Sequence, residues 1–361
     1  MNKKILFTGG GSAGHVTVNV ALIPYFLEQE WDVTYIGSKD GIEKEIITNE
    51  FSQIPYHGIS SGKLRRYFSW KNFTDPLRVM KGFMEAYSTI KKEKPSVIFS
   101  KGGFVSVPVV MAAKMAGVPV AIHESDFTPG LANKLAAPFA TKIYTTFPET
   151  LKALPEEKAV CAGAVIRKEL FEGDAKQGRR LADFHSAKPI LLVMGGSLGA
   201  KKINEAIRTN LSELLKTFQI IHICGKDNVD PSFNQEGYRQ YEYVTSELPH
   251  FLAATNYVVS RAGSNSIFEL LALKKPMLLI PLSKNASRGD QIINADSFVK
   301  QGYALKLEEE ELTNDSFLLA IRQLQEKRQE MMENMDKSSG AMTIEEMFLQ
   351  LTSMRKTGKS K

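Results

Sequence analysis

Ile5-Leu6-Phe7-Thr8-Gly9-Gly10-Gly11-Ser12-Ala13-Gly14-His15 runs a short apolar strand into a glycine-rich turn, and Ile190-Leu191-Leu192-Val193-Met194-Gly195-Gly196-Ser197-Leu198-Gly199 repeats that grammar about half a chain later. Glycine lets backbone N–H groups approach a phosphate closely, and a helix starting there offers its positive end to the same anion. A single dinucleotide fingerprint would read G-x-G-x-x-G, with an acid about 20 positions on to hold a ribose. Here the first loop leads into His15, and no acid at the end of the next strand fits that role. Two such loops predict two Rossmann-like, doubly wound α/β halves facing across a cleft, as in a nucleotide-sugar enzyme with one substrate per half.

Outward from the loops, strand-like and helical runs alternate. In the first half the pattern predicts strands at 5–8, 32–36, 53–56, 97–100, 120–123 and 143–146, with helices at 18–30, 42–49, 81–93 and 107–116. A polar stretch, 169–188, follows, and the pattern restarts at Ile190, with strands expected at 190–194, 220–224, 242–244, 257–260 and 277–281. Residues 313–351 read as helical and methionine-rich, the methionines serving as core filler. The division expected is a first domain over 1–165, joined by a C-terminal helix in 340–361, and a second over 166–339.

With 361 residues, 43% of them apolar and 24% charged, the chain has the composition of a soluble globular protein with room for two cores. Cys161 and Cys224 are its only cysteines and lack metal-ligand spacing, so neither a disulfide framework nor a structural zinc is expected, and a reducing cytoplasm fits. A strand that begins after Met1-Asn2-Lys3-Lys4 leaves no room for a signal peptide. The longest near-apolar run, 105–122, is broken by Lys114 and Pro119, so membrane contact is expected to be peripheral.

The net charge of +6 is uneven: residues 60–101 hold ten Lys or Arg against Asp75, Glu85 and Glu93. Within that window Lys63, Arg65, Arg66, Phe68 and Trp70 interleave cations with rings, a composition suited to an anionic membrane surface. No nucleic-acid-binding module is apparent, so nucleic acid is not an expected partner.

In open α/β sheets ligands gather at the carboxyl ends of strands. Ser264, after Ser260-Arg261-Ala262-Gly263, opens a helix whose N–H groups would face a diphosphate, and Glu269 within it is placed to bind ribose hydroxyls. His15, with a side chain that titrates near neutrality, suits a general base or a phosphate ligand. Glu124 and Asp126, in His123-Glu124-Ser125-Asp126, are further candidates to deprotonate an acceptor hydroxyl. No Asp-x-Asp occurs, so no carboxylate pair for a divalent ion is seen, and no metal or cofactor is expected. The leaving diphosphate would then rest on backbone dipoles and Arg or Lys.

The stretches 9–15, Ser100-Lys101-Gly102-Gly103-Phe104-Val105-Ser106, His123–Asp126 with Pro129-Gly130-Leu131-Ala132-Asn133-Lys134, 195–200, 260–269 and 289–295 together closely resemble the MurG family of UDP-N-acetylglucosamine:lipid I transferases. The resemblance implies a GT-B fold and metal-independent, inverting transfer of N-acetylglucosamine to the 4-hydroxyl of N-acetylmuramic acid in lipid I. It also implies peripheral attachment to the cytoplasmic face of a bacterial membrane, with other cell-wall synthesis proteins as partners. Carried over by position, Ser12, Ala13 and Gly14 would lie beside the donor. Arg167, Ser197, Val244, Ser264, Asn265, Ser266, Glu269 and Gln291 would form the donor pocket, with Asp126 near the donor sugar. Gly9, Gly10, Gly11, Gly102 and Gly103 would face the acceptor diphosphate. The chain departs from the family pattern at Ser125-Asp126, where Gln-Asn is common, at Leu198 and at Asp290. Those departures keep open a related GT-B enzyme with another acceptor; a UDP-sugar epimerase and a non-catalytic UDP-sugar-binding relative are the other readings.

Overall fold

The apolar run ahead of the first glycine loop forms β1 (Lys4–Thr8), whose Ile5, Leu6 and Phe7 are fully buried. Burial on both faces is the mark of a parallel sheet covered by helices on each side. The structure, a computed structural model, describes residues 3–62, 71–195, 200–283, 289–338 and 342–354, without the side chains of residues 13 and 71–77. After β1 come α1 (Thr17–Glu28), β2 (Asp32–Ser38), α2 (Ile42–Glu50), β3 (Tyr56–Ile59), α3 (Lys71–Glu93), β4 (Val97–Ser100), α4 (Ser106–Ala116), β5 (Val120–Glu124), α5 (Leu131–Ala136), β6 (Lys142–Thr145) and β7 (Ala159–Cys161). The strands pair in parallel in the order β3-β2-β1-β4-β5-β6-β7, so the chain reverses direction across the sheet between β1 and β4. Alternate residues serve opposite faces. Ile5, Phe7, Val97 and Phe99 join one core layer, and Leu6, Ile98, Val109 and Ile122 the other.

The second half holds α6 (Ala175–Leu181), β8 (Ile190–Met194), α7 (Lys201–Thr209), α8 (Leu211–Thr217), β9 (Gln219–Ile223), β10 (Tyr238–Tyr241), α9 (Leu248–Ala254), β11 (Tyr257–Ser260), α10 (Ser264–Ala272), β12 (Met277–Leu279), α11 (Asp290–Lys300), β13 (Ala304–Lys306), α12 (Asn314–Glu326) and α13 (Arg328–Asp336). Its parallel sheet runs β10-β9-β8-β11-β12-β13, reversing between β8 and β11. Two compact units result, Met1–Ile166 with Ala341–Lys361, and Arg167–Gly340.

The last helix, α14 (Ile344–Ser353), belongs to the first unit. Thr343 and Glu346 start it with reciprocal side-chain-to-backbone hydrogen bonds. Met347 and Leu351 are fully buried, and the Phe348 ring packs on Tyr25, Phe26 and Trp31. Met331, Met335 and Met347 are core residues, as their composition suggested.

Several expected elements move. Strand β3 lies at Tyr56–Ile59 rather than 53–56, because Phe51 and Ile54 are spent on the turn that packs into the core. Strand β10 is Tyr238–Tyr241, not 242–244: it is a sheet edge, held by backbone pairing to β9, so its polar Arg239 and Gln240 do not disqualify it. The short edge strands β7 and β13 escaped the sequence pattern for the same reason. Helix α3 starts ten residues before the expected Lys81.

Candidate functional site

In the first unit the glycine loop leaves β1 beside the segment that leaves β4. The two are stitched backbone to backbone: Lys101 N–H donates to Thr8 O at 2.9 Å and Gly10 N–H to Gly102 O at 3.2 Å. Gly103 has a left-handed φ of +84°, and a Cβ there would sit 2.0 Å from Gly10 O, so only glycine fits. Under the loop lies Glu43, from the first turn of α2 and fully buried. Its carboxylate accepts the Gly11 N–H at 3.0 Å, the Ser38 N–H at 2.9 Å and the Ser38 hydroxyl. The Gly10 and Gly11 N–H groups are therefore committed within the protein. That interior acid was not foreseen; its one signal was its place just beyond the strand that follows the glycine loop.

Ala13–His15 form a single 3-10 turn ahead of α1. Ser12 and Gly14 are exposed and His15 is half-buried. His15 Nδ1 lies 3.1 Å from Gly10 O and 3.1 Å from the Ser12 hydroxyl. A carbonyl only accepts, so Nδ1 carries the proton and Nε2 keeps its lone pair. Burial and the charge on Lys101 lower the His15 pKa below its ordinary value, against the Gly10 carbonyl and the carboxylates of Asp126 and Glu43, which raise it.

The segment after β5 carries the other two catalytic candidates, in different settings. Glu124 is buried, with Oε1 accepting the Asp126 N–H at 3.0 Å and Oε2 accepting Gly130 N–H at 2.8 Å and Asn133 Nδ2 at 2.9 Å. It organises the turn into α5, and burial raises its pKa. Asp126 is half-buried, and its carbonyl accepts the Thr150 hydroxyl at 3.3 Å. Lys101 is buried among these groups, a basic side chain directly after β4 to which the sequence reading gave no role.

In the second unit β11 runs through Arg261-Ala262-Gly263 into α10. Arg261 is locked inward, donating to Ile280 O at 3.1 Å and Pro281 O at 3.2 Å and pairing with buried Glu309. It shapes the turn and does not face a ligand. Gly263 precedes the helix with no side-chain cap, and a Cβ added there meets nothing within 4 Å. Ser264 is buried, and Asn265 and Ser266 are half-buried in the first turn.

Glu269, one turn further, meets Arg167 with Nη2 3.3 Å from Oε1. Burial raises the Glu269 pKa while Arg167 opposes that shift. Gln291, in α11, accepts the Leu282 N–H through Oε1 at 3.0 Å. Asn294 Nδ2 holds Ala262 O at 3.1 Å. Val244 lies half-buried in the connection after β10. Ser197, Leu198, Lys63, Arg65, Arg66, Phe68 and Trp70 lie outside the described residues. Among the described residues no group of three or more His, Cys, Asp or Glu is placed to hold a metal.

Residues 5–145 match the glycosyltransferase family 28 N-terminal domain and residues 190–348 the glycosyltransferase family 28 C-terminal domain. A Geobacillus kaustophilus protein named UDP-N-acetylglucosamine--N-acetylmuramyl-(pentapeptide) pyrophosphoryl-undecaprenol N-acetylglucosamine transferase is 61% identical over 349 residues, covering 96% of this chain and 98% of its own. A Clostridium tetani protein of the same name is 59% identical over 340 residues, covering 94% of each. Among solved structures, Acinetobacter baumannii MurG aligns with a TM-score of 0.74 at 21% identity, covering 97% of this chain and 99% of its own. The calicheamicin glycosyltransferase CalG4 aligns with a TM-score of 0.69 at 11% identity, covering 99% and 100%. At those identities the structural likeness speaks to the GT-B fold alone.

Proposed function

The chain belongs to glycosyltransferase family 28, and from that premise we propose that it transfers N-acetylglucosamine from UDP-N-acetylglucosamine to lipid I, undecaprenyl-diphospho-N-acetylmuramoyl-pentapeptide, making lipid II and UDP for peptidoglycan synthesis. The observation that carries this is the likeness to the Geobacillus transferase, which covers 96% of this chain and 98% of that protein.

The reaction is an inverting displacement without a metal. The 4-hydroxyl oxygen of N-acetylmuramic acid bonds to the anomeric carbon, the bond from that carbon to the diphosphate breaks, and UDP leaves with the electron pair. His15 Nε2 takes the hydroxyl proton. What supports this role is the Nδ1 hydrogen bond to Gly10 O, which leaves Nε2 basic, together with the lowered pKa. Glu124 is given no base role in this reading, since three internal N–H donors already bind its oxygens. Asp126 faces His15 as a charge and stabilises the imidazolium that forms.

In the second unit the start of α10 receives the diphosphate, where the helix dipole favours negative charge. The open space at Gly263 supports close approach. Glu269, fixed by Arg167, binds the ribose hydroxyls, and Val244 and Gln291 complete the donor pocket. Since Gly10, Gly11 and Gly102 spend their N–H groups internally, the acceptor diphosphate is met by the Ser12–Gly14 turn.

No helix among the described residues is long and apolar enough to cross a membrane. The enzyme works as a peripheral protein at the cytoplasmic membrane face, docking through Lys63–Trp70 and α3. Exposed Met80 and Met84 on α3, beside exposed Arg78 and Lys81, support that placement.

The test is product identity: purified protein given UDP-N-acetylglucosamine and a short-chain lipid I analogue yields an acceptor heavier by one N-acetylhexosamine, β-1,4-linked. A different acceptor specificity, with lipid I untouched, overturns the proposal.

A further inference from the structure

Lys101 is buried to 1% exposure, yet no carboxylate lies within salt-bridge distance of it among the described residues. Its ammonium donates instead to Ser125 Oγ and, at 3.1 Å, to His123 Nδ1. A buried ammonium held by neutral partners alone is costly to keep and pays only where its charge or its geometry is used. Both uses are visible here. The hydrogen bonds tie the end of β4 to the end of β5, and Ser125, one of the residues departing from the family pattern, is the seat of the ammonium. The Lys101 backbone is bonded to Thr8, and its Cβ lies 3.2 Å from where a Cβ on Gly9 would be, directly behind the loop that carries His15.

We infer that Lys101 is a positioning residue of the transfer reaction: its ammonium fixes the β4 and β5 ends beneath the glycine loop and sets a positive charge behind the loop that carries His15. The inference rests on the base role given to His15. The charged groups facing His15 are Asp126 after β5, Glu43 from α2 and Lys101 after β4. The two carboxylates favour the imidazolium, which cannot act as a base; Lys101 offsets them. His123 adds no charge, because burial and Lys101 hold its pKa well below the ordinary value. Burial pushes Lys101 itself down to about 8, while Glu124 and Asp126 pull it up, so the amine is cationic at neutral pH.

Lys101→Gln keeps a donor for Ser125 and His123 but removes the charge, whereas Lys101→Arg keeps the charge. His15 is followed by NMR titration of the unliganded protein, and kcat/KM with a lipid I analogue is followed against pH. In Lys101→Gln the His15 midpoint rises by roughly half a unit or more, the acid limb of kcat/KM moves up with it, and UDP affinity is unchanged. In Lys101→Arg the midpoint stays within that margin of the wild type. Should the Gln variant fail to fold, the wild-type protein still decides: His15 resonances show a second inflection as Lys101 titrates near pH 8. An unmoved His15 midpoint in Lys101→Gln, or no second inflection in the wild type, overturns the inference. A moved midpoint with no wild-type transfer to lipid I refutes the transferase reading and leaves the Lys101–His15 coupling standing.

Discussion

The buried carboxylate of Glu43 accepts the backbone N–H of Gly11 at 3.0 Å, so an internal anion occupies a turn of the kind that elsewhere receives a phosphate. The glycine loop of the first unit is thus a folded scaffold for His15 before any substrate arrives. Glu43→Gln replaces an acceptor oxygen by an NH2 group facing N–H or O–H donors from Gly11 and Ser38. Unfolding free energy should fall by about 2 kcal/mol, read as a lower urea midpoint, with turnover reduced. An unchanged midpoint would mean the carboxylate does not hold the loop.

Replacing His15 by Ala should lower kcat by roughly 100-fold or more while UDP affinity stays near wild type. Because the His15 pKa is lowered, the base is unprotonated below the ordinary histidine midpoint, so wild-type kcat/KM should hold as pH falls to 6.5 and decline only beneath it. An acid limb centred above 6.5 would contradict that assignment.

Two glycine substitutions separate scaffold from ligand contact. Gly103→Ala drives a Cβ into Gly10 O at a left-handed φ and should cost about 2–4 kcal/mol of stability. Gly263→Ala meets open space at an ordinary φ of −68° and should leave stability within about 0.5 kcal/mol, yet weaken donor binding by crowding the diphosphate. Calorimetry of UDP binding beside thermal melts distinguishes the two; undiminished UDP affinity in Gly263→Ala would move the diphosphate elsewhere.

Glu269→Gln should raise the KM for UDP-N-acetylglucosamine by roughly tenfold with a smaller change in kcat, since the ribose is remote from the reacting carbon. Arg167→Ala should do less damage in the Gln background than alone, because the two side chains form one ion pair. Strict additivity in the double-mutant cycle would show that the pair does not act as a unit.

Neutralising Arg65 and Arg66 together should weaken sedimentation with anionic vesicles and flatten its salt dependence. Unaltered binding with the same salt slope would remove the Lys63–Trp70 segment from the docking surface.

The architecture was legible because both sheets are built from uninterrupted apolar runs ended by glycines: 97–100, 190–194 and 257–260 were read to the residue. Edge strands were not, since β10 and β13 gain their order from backbone pairing and carry little apolar signal. At the site, His15 and Glu269 stood out by residue type at a strand end or helix start. Glu43, Lys101 and Arg261 did not, because a charge turned inward looks in sequence like a charge facing water. Their partners, Gly11, Ser125 and Glu309, are brought to them only by the sheet order.

The most direct test of the account is UDP release from UDP-N-acetylglucosamine by the purified protein, with and without a short-chain lipid I analogue, in excess EDTA. Release that depends on the acceptor, survives EDTA and is lost in His15→Ala is the predicted result. Conversion of the donor without acceptor, or release abolished by EDTA, would contradict the claim of a metal-independent lipid I transferase that uses His15 as its base.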